Sequence, residues 1–319
     1  MPQIRIPEPN ETESKKITPE DFADILQDDL EQEFKERIVR LNLQYRNLSE
    51  AEWEEREKWI QNLIDSPKTD ASGEHRLSVW EKGWGSNLRA LKDNQDNPLV
   101  PGYFEKQQDY AAWRGRLVKP LTSNFSYQIL GLNVRWILQK YARPARAIYE
   151  FGCGTGHHLI QAREINPSAN LYGLDWAEAS QGIIEEMSRR GILPGAQGKR
   201  FDFFNPDYGV VLERESMVYT IAALEQVGTK HDKFIDYLLK NKPEICCHIE
   251  PIPESLNLEN PLDRWSDTYY KKRNYLSGFL TSLRELEKKG SIKIEKVRRT
   301  YVGNFFEGYT LIVWRPVVD

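Results

Sequence analysis

Apolar positions along this chain recur with one period before about residue 143 and with another after it. In the first part Phe22, Ile25, Leu26, Leu30, Phe34, Ile38 and Leu41 return every three or four residues, which predicts amphipathic helix. Thr18 before Pro19, Glu20 and Asp21 has the composition of a capped helix start with proline in its first turn. The stretch "LSEAEWEEREKWIQNLI" opens on Ser49 and Glu52 at capping-box spacing, with Trp53, Trp59, Ile60 and Leu63 as its apolar stripe. Between residues 66 and 125 the pattern is irregular, and "SPKTDASG", "KDNQDNPLVPG" and "KPLTSN" supply loop chemistry around one or two helices. There "VWEKGWGSNLRAL" sets Trp80 and Trp84 around a basic residue and a glycine, a composition for a packed corner or a lid, with packing the favoured reading. "YQILGLNVRWILQKYA" predicts a helix leading into the second part.

After residue 143 strands and helices alternate. Strands are expected over "AIYEFG", "ANLYGLDW", "GKRFDFF", "SMVYTIAALE" and "EICCHIEPI", with helices over "HHLIQAREI", "AEASQGIIEEMSRRG" and "KHDKFIDYLLKN", the last capped by Thr229. A long helical stretch over residues 262–289 precedes "SIKIEKVRRTYV" and "GYTLIVWRP", two strand-like runs joined by the short "GNFFEG". The expected fold is α/β: a seven-stranded, mostly parallel sheet with helices on both faces, an antiparallel C-terminal hairpin, and a mainly helical N-terminal extension. The expected boundaries are a flexible arm over 1–17, the extension or lid over 18–125, and the α/β domain over 126–319.

Composition narrows the function. With 319 residues, 39% of them apolar, the chain can bury a sizeable core. The net charge of −4 divides into −8 over residues 1–66 and +4 beyond, which offers duplex nucleic acid no basic face. The acidic N-terminal helices instead suggest a surface for a second copy or a protein partner. Three cysteines, two of them adjacent at Cys246 and Cys247, provide neither a disulfide framework nor a metal-ligand spacing. No stretch has the length and apolarity of a leader or membrane span, so a soluble, cytoplasmic protein is expected.

The chemistry concentrates in "AIYEFGCGTGHHLIQAREINPSANLYGLDWAEAS". Gly152, Gly154 and Gly156 follow G-x-G-x-G, whereas the dinucleotide fingerprint G-x-G-x-x-G needs glycine where His157 stands. Glu150, at the end of the strand before the turn, disfavours a pyrophosphate and suits a ligand with a positive end. "EFGCGTG" followed by "LYGLD" resembles the nucleotide-loop motif of the class I, Rossmann-like, S-adenosylmethionine-dependent methyltransferases, and the likeness extends over residues 145–316. The resemblance implies S-adenosyl-L-methionine as cofactor. It places Glu150 near the methionine amino end, the three glycines along the adenosyl part, and Asp175, nineteen residues after Gly156, on the ribose hydroxyls. It also puts Trp176 against adenine, and Asp202 with Phe203 near the adenine amino group. "TIAALEQVG" matches a segment that the family often writes with Leu-Glu-His, here with Gln226 in place of the histidine.

Ligands of open parallel sheets lie over the carboxyl ends of the strands, which selects Glu225, Gln226, His248 and Glu250. Alternation sets Cys246, His248 and Glu250 on one strand face. His248 is the first choice of base, Glu250 its orienting partner and Glu225 the competitor, with no metal required. A lone histidine in a buried strand is more often a core residue. His157 and His158 read as packing or cap residues that point apart. The expected activity is methylation, most simply at oxygen, of a polar small molecule or sugar. Trp265, Tyr269, Tyr270 and Tyr275 with Lys271, Lys272 and Arg273, and Tyr301 with Arg298 and Arg299, suggest an anionic acceptor. The competing readings are a non-catalytic module of the same fold that binds the cofactor or a partner, and a nicotinamide-dependent oxidoreductase.

Overall fold

The computed structural model describes residues 13–105, 109–303 and 306–317. Residues 1–12 of the expected arm and residues 304–305 of the terminal connection lie outside the described residues. The chain begins with strand β1 (Lys15–Lys16), helices α1 (Pro19–Leu26) and α2 (Gln32–Leu41), strand β2 (Gln44–Asn47) and helices α3 (Glu50–Asp65), α4 (Leu77–Lys92) and α5 (Gly102–Glu105). Strands β3 (Ala111–Trp113) and β4 (Arg116–Pro120) follow. The helix start expected at Thr18 and the capping box expected at Ser49 and Glu52 both form, and the first is also a capping box: Thr18 and Asp21 exchange hydrogen bonds at the start of α1, as do Ser49 and Glu52 at the start of α3. The α3 stripe runs through Ile60 and Ile64, whereas Trp59 is 39% exposed beneath the Arg56 guanidinium.

This region also holds an antiparallel sheet, in the order β1-β2-β4-β3, that the sequence reading did not assign. Its strands run from two to five residues, too short to display an alternation of their own. The hairpin between β3 and β4 turns on Arg114 and Gly115, with φ of 50° and 75°, the left-handed pair that a two-residue connection needs. Part of the acidic front, Asp28, Glu31 and Glu33, is paired with the body. Arg135 holds Glu33 at 2.8 Å and Glu164 at 2.7 Å, Arg143 holds Glu31 at 2.7 Å, Lys140 and Lys296 hold Asp28, and Arg298 donates to the Ile25 carbonyl at 2.6 Å.

The second part comprises α6 (Phe125–Tyr141), β5 (Ala147–Phe151), α7 (His157–Ile165), β6 (Asn170–Asp175), α8 (Glu178–Arg189), β7 (Gln197–Arg200) and β8 (Ser216–Ile221). It continues through α9 (Asp232–Asn241), β9 (Ile245–Glu250), α10 (Pro261–Arg273), α11 (Phe279–Lys288), β10 (Ile292–Arg299) and β11 (Thr310–Pro316). The seven-stranded sheet has the order β10-β11-β9-β8-β5-β6-β7, parallel from β7 to β9, with β11 antiparallel between β9 and β10. Strand alternation sends Ile148, Tyr219 and Cys247 into one apolar cluster with α6, α7 and α8, and Tyr149, Val218 and Cys246 into another with α9 and α11.

Three local expectations change. The strand over "GKRFDFF" ends at Arg200, because Asp202 Oδ1 accepts from the Phe204 N–H at 2.8 Å and turns the chain. Helix α9 starts after His231 without a side-chain cap, not on Thr229. The stretch over 262–289 breaks into α10 and α11 at Asn274 and Gly278, with φ of 50° and 80°.

Asn166 fixes the entry to β5. Its Nδ2 donates to the carbonyls of Ala142 and Ala145, each at 2.8 Å, and its Oδ1 accepts from Ala169 N–H at 3.1 Å. Asn166→Ala leaves these buried groups without partners and is expected to cost about 2 kcal/mol, read as a lower urea midpoint; an unchanged midpoint would refute the assignment.

Candidate functional site

Strand β5 ends at Phe151 and the chain reverses through Gly152, Gly154 and Gly156, all left-handed with φ of 73°, 53° and 68°. Space as well as conformation demands glycine. A Cβ on Gly152 would stand 2.3 Å from Ala223 Cβ, and one on Gly156 would stand 2.3 Å from Ile184 Cδ1. The N–H groups of Gly152 and Cys153 donate to the Leu174 carbonyl at 2.7 and 3.0 Å, which ties the turn to the end of β6. Asp175 completes the tie. Its Oδ2 accepts from Gly154 N–H at 2.9 Å and its Oδ1 from Ala177 N–H at 3.0 Å. Burial pushes this carboxyl up to about 6, while the two N–H donors and the neighbouring Glu150 act in opposite directions.

Glu150, 2% exposed, meets His158 Nδ1 at 2.9 Å and accepts from the Tyr219 hydroxyl at 3.0 Å. Burial drives the Glu150 carboxyl well above its ordinary range and the His158 ring down to about 3, so each favours its neutral form. The His157 and His158 rings do not point apart: their centroids lie 3.8 Å from each other, and both border the same crevice.

That crevice, about 730 Å³ when its open mouth is included, lies over the carboxyl ends of the strands. Glu150, Gly152, Gly154, Asp175, Trp176 and Phe203 all line it, and Trp176 stacks on Phe204 at 5.9 Å. Asp202 and Gly156 are not part of the lining: Asp202 turns back to Phe204, and Gly156 begins α7. The roof was not foreseen as such. Trp80 and Trp84 stack at 5.5 Å, and the Trp84 ring comes within 2.9 Å of where a Gly154 Cβ would lie. Glu81, between them, accepts from Glu178 and Ala179 N–H at 2.7 and 3.0 Å and so caps α8 with a residue of α4. Thr155 adds a 2.7 Å bond to the Leu99 carbonyl. The sequence signal was the glycine between two tryptophans, which packing explained equally well.

The base candidates separate. His248 is wholly buried; Trp314 Nε1 donates to its Nε2 at 3.0 Å, which leaves Nδ1 to donate to Thr220 Oγ1 at 2.9 Å. Both ring nitrogens are engaged, Phe279 lies edge-on, and burial lowers the ring to about 3, so His248 is a core residue and the expected base is corrected. Glu250, on the same strand face and also buried, orients no histidine: its Oε1 accepts from Ala223 and Leu224 N–H at 3.1 and 3.2 Å and shapes the turn after β8. Glu225 stands in that turn and accepts from Gln226 Nε2 at 2.9 Å. Gln226 itself lines the crevice.

No family model matches the chain, and no curated protein matches it. Solved structures do resemble it. The [4+2]-cyclase SpnF aligns with a TM-score of 0.50 at 13% identity, over 78% of this chain and 98% of that one. Geranyl diphosphate methyltransferase in complex with GPP and sinefungin aligns at 0.47 and 12% identity, over 76% of this chain and 98% of that one. Magnesium protoporphyrin IX methyltransferase (ChlM) from Synechocystis PCC 6803 with bound SAH aligns at 0.45 and 15% identity, over 61% and 85%. At such identities the likeness is one of fold alone, the α/β architecture around the seven-stranded sheet.

The buried histidines contribute to the loss of stability in acid. His158 and His248 titrate near 3 when folded and near 6.5 when unfolded, so the unfolded chain binds more protons between those values. Their contribution is complete above pH 6.5 and is lost as pH falls toward 3. In urea melts across this range, His248→Gln is expected to start less stable at pH 7 and to fall less steeply; equal slopes would refute the sealed, neutral His248.

Proposed function

We propose that this chain is an S-adenosylmethionine-dependent methyltransferase acting on a polar small molecule. One observation carries the reading: a bare glycine turn and a buried carboxylate, Asp175, meet beneath a roofed crevice. The chemistry of the lining supports it. Among the described residues Trp80 Nε1 and Gln226 Oε1 are buried without partners, so a ligand offering both an acceptor and a donor suits the crevice.

In this reading Gly152, Gly154 and Gly156 give the cofactor backbone access, and Asp175 receives the ribose hydroxyls on its remaining lone pairs. Trp176 and Phe203 flank adenine. Glu150 and His158 face the amino end. Asp202, engaged with Phe204, is left with a shaping role at the adenine side. When bound, the sulfonium supplies an electrophilic methyl carbon. The protein then has to exclude water and hold the acceptor in line, tasks that fall to the Trp80, Trp84 and Tyr103 roof and to the β8 turn. Glu225 takes the acceptor proton. Burial, reinforced by Glu250, pushes its carboxyl up to about 8, near the working pH of a general base. Gln226 orients it and Glu250 holds the turn that carries it. The nicotinamide reading is disfavoured by His157 at the third fingerprint position and by Glu150 below the turn.

Calorimetry is expected to give micromolar binding of S-adenosylmethionine and none of NAD, with Asp175→Ala abolishing it; tight NAD binding alone would reverse the reading. Glu225→Gln is expected to lower kcat about 100-fold or more while S-adenosylhomocysteine affinity stays within about twofold of the parent protein. Cofactor binding without transfer of labelled methyl groups to any compound of a metabolite extract would favour the non-catalytic module.

A further inference from the structure

We propose that the cavity between α2, α6, α7 and the loop over residues 97–100 is a second ligand site, separate from the crevice, and that it takes an aromatic monocarboxylate with Arg37 as its charge partner. This site does not depend on the transferase reading.

The cavity measures about 1010 Å³ when its open mouth is included. Arg37 of α2 stands in its wall, half-buried, with no hydrogen-bond or ion-pair partner among the described residues. The charged groups around it are Arg135, Glu164, Arg40 and Glu33. Both of those carboxylates are already taken, since Arg135 holds Glu33 at 2.8 Å and Glu164 at 2.7 Å. Burial, and after it the like charge of Arg135, lower the Arg37 pKa from its ordinary value, yet a guanidinium stays charged at any working pH. An anion from outside the chain relieves such a group, and the planar fork of arginine matches a carboxylate through two parallel hydrogen bonds. One negative charge is the limit. Arg37 is the sole Lys or Arg among the described residues of the wall; His157 is neutral, because burial and then His158 hold its ring well below the usual range; and Glu164 in the same wall repels a second charge.

A second observation is independent of charge. Gly131, also in the wall, lies in the middle of α6, where glycine weakens a helix, and its φ is not left-handed. A Cβ there would meet only Gln161 Nε2, at 3.5 Å, which is ordinary contact. Neither conformation nor crowding within the chain calls for the glycine; an occupant lying against the bare helix surface does. Leu41, Leu132 and Ile160 give that occupant apolar contact, and the Tyr127 and His157 rings, with centroids 5.4 Å apart, give it aromatic contact.

The two sites share a wall at His157, which borders both, and the Thr155 hydroxyl, on the crevice side, bonds the Leu99 carbonyl of the cavity loop at 2.7 Å. They do not share the cation. Among the described residues the crevice is lined by no Lys or Arg, and its carboxylates Glu150 and Asp175 disfavour an anion there.

Calorimetry on the full chain at pH 7 compares benzoate with benzamide and benzylamine, which keep the ring and change the charge. Benzoate is expected to bind at least about tenfold more tightly than either, and to stay bound when S-adenosylhomocysteine is present at saturation. Arg37→Gln removes the charge, and Gly131→Leu fills the cavity with a better helix former, so that its urea midpoint is expected at or above that of the parent protein. Each variant is expected to weaken benzoate about tenfold or more. Benzamide binding as well as benzoate, benzoate binding weaker than about 10 mM, or a benzoate affinity unchanged in either variant would overturn the site. Displacement of benzoate by S-adenosylhomocysteine would place the anion in the crevice and overturn it equally.

Discussion

The site depends on a steric constraint: a turn of three left-handed residues with no room for a Cβ, pinned at both ends. Ala223 and Ile184 close on Gly152 and Gly156 from opposite sides, and Asp175 bonds the Gly154 N–H from the next strand. A buried carboxylate is costly unless donors meet it, and two backbone N–H groups offset part of that cost. The remainder shows in its raised pKa of about 6. Asp175 therefore shapes the turn with both of its oxygens engaged.

The N-terminal region is built against this turn. Helix α4 reaches across the crevice because Glu81 caps α8 and Trp84 lies on Gly154, where any larger residue would displace it. The acidic front, which as a sequence suggested an external partner, lies beside the basic residues Arg135, Lys140, Arg143, Lys296 and Arg298 of the body. Exposed pairs of this kind contribute little individually. Arg135, only 6% exposed and shared by Glu33 and Glu164, is better shielded and joins α2, α6 and α7.

Position along strand β9 separates His248 from Glu250. His248 and Glu250 share a face of β9, but His248 lies two residues deeper, beside Thr220 and under Phe279 and Trp314. It is neutral and sealed. Glu250 ends the strand and contacts the turn that carries Glu225 and presents Gln226 to the crevice. The same residue types exchanged between these two depths would give a different site.

Much of this was legible in the chain. The alternation of strand and helix after residue 143, the helix start at Thr18, the capping box at Ser49 and Glu52, the glycine turn and the acid at the end of β6 are local patterns, set by backbone geometry and by side chains a few residues apart. The seven-stranded sheet followed from them. The four-stranded sheet did not, because its strands are short and find partners as distant as Arg46 and Lys119. Nor did Trp80 and Trp84 as a roof or the engagement of both His248 nitrogens. Sequence patterning determined which elements form and which faces they bury. Whether a polar group ends sealed, paired or open to a ligand depends on contacts between residues tens of positions apart, and only the assembled tertiary structure decided that.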